Sequence, residues 1–127
     1  VMVVHSEDGL DEISAATSTH VAEARDGQVT EFMVSPENLG TTRCSLEGLE
    51  VSNADESLGL IRSALSGAPG DTAERARQVI ALNAGAALYV AGLASSLEQG
   101  VSNATVLLES GKPWGRVEAL VDLTTSF

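Results

Sequence analysis

The chain has 127 residues, 43% hydrophobic and 20% charged. That is the composition of one globular domain with a real core, not of a disordered chain. Seven basic residues against 18 acidic ones give a formal charge of −11, which argues against a nucleic-acid or anionic-membrane surface, and the single cysteine, Cys44, excludes an internal disulfide framework and points to a reducing, cytoplasmic setting.

Residues 1–4 form a continuous apolar run closed by His5-Ser6-Glu7-Asp8-Gly9, the pattern of a strand buried on both faces of a parallel sheet. An opening in mid-strand, with no initiator Met and no basic n-region, reads as the C-terminal piece of something longer. Leu10 and Ile13 then flank Asp11-Glu12. Residues 19–25 and 28–34 are rich in β formers and are joined by Asp26-Gly27, a pair suited to the two positive φ values of a type I′ hairpin turn. Ser35-Pro36-Glu37-Asn38-Leu39-Gly40 predicts a single turn of helix, and residues 41–52 read as loop.

Helices fill the second half. Asn53 with Glu56 matches a capping box, with Leu58, Ile61 and Leu65 on one face. Asp71 with Glu74 opens a second helix, which is apolar almost all round over residues 79–91, as a buried helix should be. Ser95 with Glu98 opens a third, whose stripe is Leu97, Val101, Ala104 and Leu108 and whose stop is Gly111. Val117, Leu120 and Val121 mark a last short helix. Residues 78–97 carry no charge, which is long enough to span a bilayer, but the cap at Ser95 divides the run and no basic cluster flanks it. It reads as a small-residue core helix, with residues 84–87 allowing close approach of a neighbour. The fold class expected is α/β: a sheet with helices packed against it.

The acidic excess is concentrated in residues 1–60, which hold twelve acids and two bases. Glu7, Asp8, Asp11 and Glu12 place four carboxylates within six residues, directly after the apolar strand. Hard oxygen ligands suit Mg²⁺, which takes one or two carboxylates plus water and phosphate oxygens. In open α/β sheets, ligands sit beyond the carboxyl ends of strands. Adjacent residues on a strand point to opposite faces, so Asp11 and Glu12 could share an ion only from a loop. On the acids alone, a solvated acidic turn is the default reading. His5 is a candidate base or ligand, though a lone His after a strand is more often structural; His20 lies in the hairpin. Cys44 lacks the basic surroundings of a nucleophile. Asn83, on a buried helix, must satisfy its amide, and packing or capping accounts for that better than catalysis. No Gly-rich phosphate loop is present.

These residues also carry a resemblance. VVHSEDGLDEI (residues 3–13) resembles the VVHG-x-DGLDE segment of the anthranilate phosphoribosyltransferase family. In the same order, residues 19–27 are similar to its T-x-VAEL-x-DG hairpin, 35–40 to its TPEDFGL turn, 82–91 to its LNAAAALYVAG helix and 95–101 to its SLEEGV segment. The resemblance covers essentially the whole chain. It implies a transferase of tryptophan biosynthesis that moves phosphoribosyl from phosphoribosyl pyrophosphate to anthranilate with Mg²⁺. Asp11 and Glu12 would help to hold the metal, and the full-length protein would be a homodimer. The family's GTGGD loop, its KHGNR segment and its anthranilate-binding residues have no counterpart in this sequence. Residues 1–127 are therefore expected to be a single partial domain: the C-terminal portion of a phosphoribosyltransferase/nucleoside phosphorylase-like α/β domain, inactive alone. Ser6 stands where the family commonly has Gly, and Gly85 where it has Ala; neither is expected to touch the metal pair. The alternatives are a pyrimidine nucleoside phosphorylase-like fragment and a non-catalytic structural or interaction domain.

Overall fold

Asp26 and Gly27 adopt φ values of 51° and 77°, as a type I′ turn requires. In the computed structural model, which describes residues 1–127, this turn joins β2 (Thr19–Arg25) to β3 (Gln28–Val34). β1 (Met2–Ser6) pairs with the other side of β2, giving a three-stranded sheet in the order β1-β2-β3 with both pairings antiparallel. The expectation of a doubly buried parallel strand at residues 1–4 is thus corrected. β1 has β2 as its one neighbour and alternates: Met2 and Val4 pack against the core, while Val3 and His5 are exposed. A run of four apolar residues does not by itself distinguish two buried faces from one.

After a 3₁₀ turn at Glu37–Leu39, four helices follow: α1 (Ala54–Leu65), α2 (Asp71–Val90), α3 (Leu97–Glu109) and α4 (Lys112–Thr125). α2 and α3 form the closest helix pair and pack beneath the sheet. Ile13, Ala15, Val21, Val34 and Leu39 meet Leu82 and Ala86 of α2 and Val101 of α3 in the main core. A second small cluster, Ala81, Ala104 and Leu108, fills the space between α2 and α3. No helix is long and apolar enough to cross a membrane.

The helix starts differ in how they are capped. Asn53 Oδ1 accepts from Glu56 N–H at 2.9 Å, but Glu56 reaches past the cap and accepts from Ser52 N–H at 2.8 Å. Asp71 is the first helical residue rather than a cap; Gly70 precedes it without a side-chain bond. The cap of α3 is Ser96, one residue later than the sequence suggested. Its hydroxyl accepts from Gln99 N–H at 3.1 Å, while Gln99 accepts from Ser95 N–H at 2.7 Å.

Two expected apolar faces are only partly covered. Leu58 and Ile61 of α1 are exposed, and the residue α1 buries is Ala64. α2 buries Leu82, Gly85 and Ala86 but exposes Ala87 and Val90. α4 begins earlier than expected, with Pro113 in its first turn, and buries no residue completely. It is tied to α1 by Arg62, whose guanidinium lies 5.4 Å from the centre of the Trp114 ring. The ends of α1 and α3 cross at two glycines with φ of 71° (Gly67) and 69° (Gly111). A Cβ on Gly111 would lie 2.7 Å from the Ser66 carbonyl oxygen, and one on Gly67 3.1 Å from that of Glu109.

Candidate functional site

The connection from β1 to β2 carries the acidic cluster, and its hydrogen bonds divide the four carboxylates into two kinds. Asp8 is held inside the turn. The buried hydroxyl of Ser14 donates to Asp8 Oδ2 at 2.6 Å, the buried hydroxyl of Ser6 donates to Oδ1, and Leu10 N–H reaches Oδ1 at 3.4 Å. Partial burial raises the Asp8 pKa, but the hydroxyls of Ser14 and Ser6 and the Leu10 N–H outweigh it, so the carboxyl titrates below its usual 3.8. Glu7 accepts from Thr17 Oγ1 at 3.1 Å. Two carboxylates of the four are therefore taken up in shaping the turn.

Asp11 and Glu12 remain. Both are exposed, and both lie on the loop beyond the strand rather than in it, so the alternation of a strand does not separate them. They line one side of an open cleft of about 670 Å³, with Glu47 and Glu50 of the following long loop also on its wall and Val79 contributed by α2. Glu47 and Glu50 are functional candidates that the sequence reading passed over, since residues 41–52 show no period and nothing local marks two loop acids as neighbours of Asp11. No three carboxylates, imidazoles or thiolates converge closely enough to chelate an ion by themselves.

α2 fastens both walls of this cleft. On one side Asn83 accepts from Ile13 N–H at 2.9 Å and donates to Ile13 O at 3.1 Å and Val79 O at 3.0 Å. Its Nδ2 also stands 3.5 Å from Glu12 Oε2. On the other side Arg75 donates to the Glu47 carbonyl at 2.8 Å. Away from this cleft, Gln78 of the same helix donates to the Thr42 carbonyl. The packing role expected of Asn83 is what these bonds describe.

Ser6 bonds to Asp8 and Leu10 and to neither Asp11 nor Glu12. Its hydroxyl accepts from Leu10 N–H at 3.1 Å, and its side chain is fully buried. A glycine there would leave both Asp8 and Leu10 without that partner, so Ser6 helps to set the loop bearing the acid pair.

The other candidates lie elsewhere. His5 and His20 are cross-strand partners on the outer sheet face, both exposed. Cys44 is half-buried, and burial pushes its thiol pKa up against the opposing charge of Arg75, so the thiol stays protonated at neutral pH. At the far end of the sheet Tyr89 donates to Glu23 at 3.3 Å while Arg25 pairs with Glu23 at 3.1 Å and lies 4.5 Å over the Tyr89 ring, tying β2 to the end of α2.

Comparison with known proteins extends the picture. Residues 1–114 match the family described as glycosyl transferase family, a/b domain. The chain is 52% identical over its whole length to an anthranilate phosphoribosyltransferase of Marinobacter nauticus and 46% identical to one of Hahella chejuensis, spanning 37% of each. The crystal structure of anthranilate phosphoribosyltransferase from Thermus thermophilus superposes with a TM-score of 0.81 at 33% identity, over 95% of this chain and 34% of that one. The Saccharomyces cerevisiae enzyme, solved in complex with PRPP and Mg, has the same fold at 21% identity and a TM-score of 0.81, over 99% of this chain and 35% of that one.

Proposed function

The chain belongs to the glycosyl transferase family, a/b domain, and from that membership we propose that it is the C-terminal part of an anthranilate phosphoribosyltransferase. The complete protein would transfer phosphoribosyl from phosphoribosyl pyrophosphate to the amine of anthranilate, releasing pyrophosphate, as a step of tryptophan biosynthesis in the cytoplasm. The observation that carries this reading is the end-to-end likeness, 52% over all 127 residues, to an enzyme of that activity. Residues 1–127 form one partial domain, and the rest of the enzyme supplies the phosphate and anthranilate contacts and the surface of a homodimer.

Within that reaction Asp11 and Glu12 are the residues that would hold Mg²⁺. The donor set fits: two hard, exposed carboxylates on a loop, neither consumed by the turn, bordering an open cleft. Two protein ligands leave most of an octahedral shell for water and pyrophosphate oxygens, the usual arrangement for Mg²⁺. When bound, the ion neutralises charge on the departing pyrophosphate and templates its position. The chain's own residues do the holding. Asp8 and Ser6 set the turn, Asn83 anchors its exit, and Asp11 and Glu12 act as oxygen ligands rather than as acid or base, since the amine of anthranilate is already a nucleophile.

The reading is tested on the full-length protein by following anthranilate fluorescence with phosphoribosyl pyrophosphate and Mg²⁺. Consumption that depends on both supports it. Phosphorolysis of a pyrimidine nucleoside with no consumption of anthranilate would replace it.

A further inference from the structure

We infer that Asn83 is a positioning residue for the Asp11–Glu12 pair, acting through the loop exit at Ile13; this rests on the metal reading of that pair. The observation is a clasp. One amide side chain from the middle of α2 takes both the N–H and the C=O of Ile13, at 2.9 and 3.1 Å. Ile13 is the residue immediately after Glu12, and its side chain is 1% exposed in the main core. Backbone and side chain of Ile13 are thus both fixed, so the two residues before it emerge from a rigid anchor.

Asn83 goes further than anchoring. Its Nδ2 has two protons for three acceptors: Ile13 O, Val79 O and, at 3.5 Å, Glu12 Oε2. The contact with Glu12 is the longest and is shared. It biases one carboxylate oxygen toward α2 and leaves the other oxygen to the cleft. An amide suits this task because it can accept from one backbone group and donate to another while remaining uncharged. Aspartate would keep the acceptor for Ile13 N–H, lose both donors, and set a second negative charge beside Glu12. Partners that orient a metal ligand in this way commonly contribute 10–100-fold to metal affinity or activity.

The test uses the full-length protein and four changes: Asn83→Ser, Asn83→Asp, Gln78→Ala as a control, and Asp11→Asn with Glu12→Gln as a reference for the pair itself. Gln78 fastens Thr42 to the same helix but does not touch the acidic loop. Two quantities are read. The first is the affinity for Mn²⁺ in the presence of pyrophosphate, from water proton relaxation. The second is hydrogen exchange at the Ile13 amide. Both Asn83 variants should weaken Mn²⁺–pyrophosphate binding about tenfold and speed Ile13 exchange, and Gln78→Ala should do neither. Faster exchange at Ile13 with unchanged Mn²⁺ affinity in both Asn83 variants would overturn the inference while leaving the metal pair standing. Unchanged affinity in the Asp11 and Glu12 variants would overturn the metal reading and this inference with it. Equal weakening by Gln78→Ala would reduce Asn83 to a general stabiliser of the fold and overturn the inference too.

Discussion

Gly85 of α2 and Gly100 of α3 meet backbone to backbone. A Cβ on Gly100 would overlap the Gly85 carbonyl oxygen and lie 2.9 Å from its carbon, and one on Gly85 would overlap the Val101 nitrogen and lie 2.7 Å from the Gly100 carbonyl carbon. The atoms in the way are main chain, so no side-chain rotation relieves the clash. Alanine at either position must push the helices apart, and the main core, which joins Leu82, Ala86 and Val101 across this contact, opens with them. Gly85→Ala and Gly100→Ala are each expected to lower stability by about 1–3 kcal/mol, as overpacking does, against a gain of under about 1 kcal/mol from helix propensity. Urea unfolding of the chain and the two variants measures the difference.

For the acid pair, Asp11→Asn and Glu12→Gln in the full-length protein should each reduce turnover and require more Mg²⁺ to recover part of it. Both residues are exposed, so thermal stability should stay within about 0.5 kcal/mol of the parent. A Mg²⁺ titration of initial rate beside a melting curve separates the two effects. Unchanged rate and unchanged Mg²⁺ dependence would return the pair to the status of a solvated turn.

The isolated 127-residue chain should show no anthranilate phosphoribosyl transfer above a blank. It should also self-associate. β1 is paired on one side only, and Val1 and Val3 are 75% and 66% exposed beside it, which is an open template for another strand. Sedimentation velocity over a range of concentrations should show a rising mean mass, and Val3→Lys should suppress it.

Asp8 gives the β1–β2 turn an acid limit. Its carboxyl titrates below the usual 3.8 in the folded chain. The stability this contributes is complete above that unfolded-state value and drains away as pH falls through the lower folded one. The urea midpoint should therefore drop as pH falls below the usual 3.8, and Asp8→Asn should flatten that part of the curve. At pH 7 Asp8→Ala should cost about 1–3 kcal/mol, because the buried Ser14 hydroxyl loses its acceptor, while Ser6 can still donate to the Leu10 carbonyl at 3.2 Å.

Glu37 provides a second titration, independent of the loop. The Arg43 guanidinium, 3.1 Å away, holds its carboxyl down to about 2 from a usual 4.5. Arg43→Ala should raise it toward the usual value, as read by ¹³C chemical shift against pH. Glu37 and Arg43 form a surface pair with both side chains about half exposed, so the midpoint of thermal unfolding should hardly move.

Local chemistry made much of this legible beforehand. Asp-Gly specified the hairpin because its two positive φ values are nearly diagnostic, and Gly111 marked the end of α3 for a similar reason. What sequence did not reveal was relational. Ser95 and Ser96 are both good caps, and Gln99 decides between them by reaching back to Ser95. Leu58 and Ile61 follow a clean helical stripe, yet they are exposed, because periodicity reports a face and not its occupant. At the site, the acid cluster was visible as a cluster, but its division was not. Separating Asp8 from Asp11 takes the hydroxyl of Ser14, six residues on from Asp8, folded back beneath the turn. The bond between Asn83 and Ile13 spans 70 residues, and no local pattern encodes it.

The crossing of Gly67 and Gly111 links the exits of α1 and α3 at one joint, and the Arg62–Trp114 stack lashes α1 to α4 beyond it. Neither outer helix fully buries a large side chain: α1 buries Ala64 and rests a half-buried Leu65 against the small cluster between α2 and α3, and α4 buries no residue completely. With so little fully buried side chain of their own, the two outer helices should open locally before α2 and α3 do, leaving the helix that carries the acidic cleft closed.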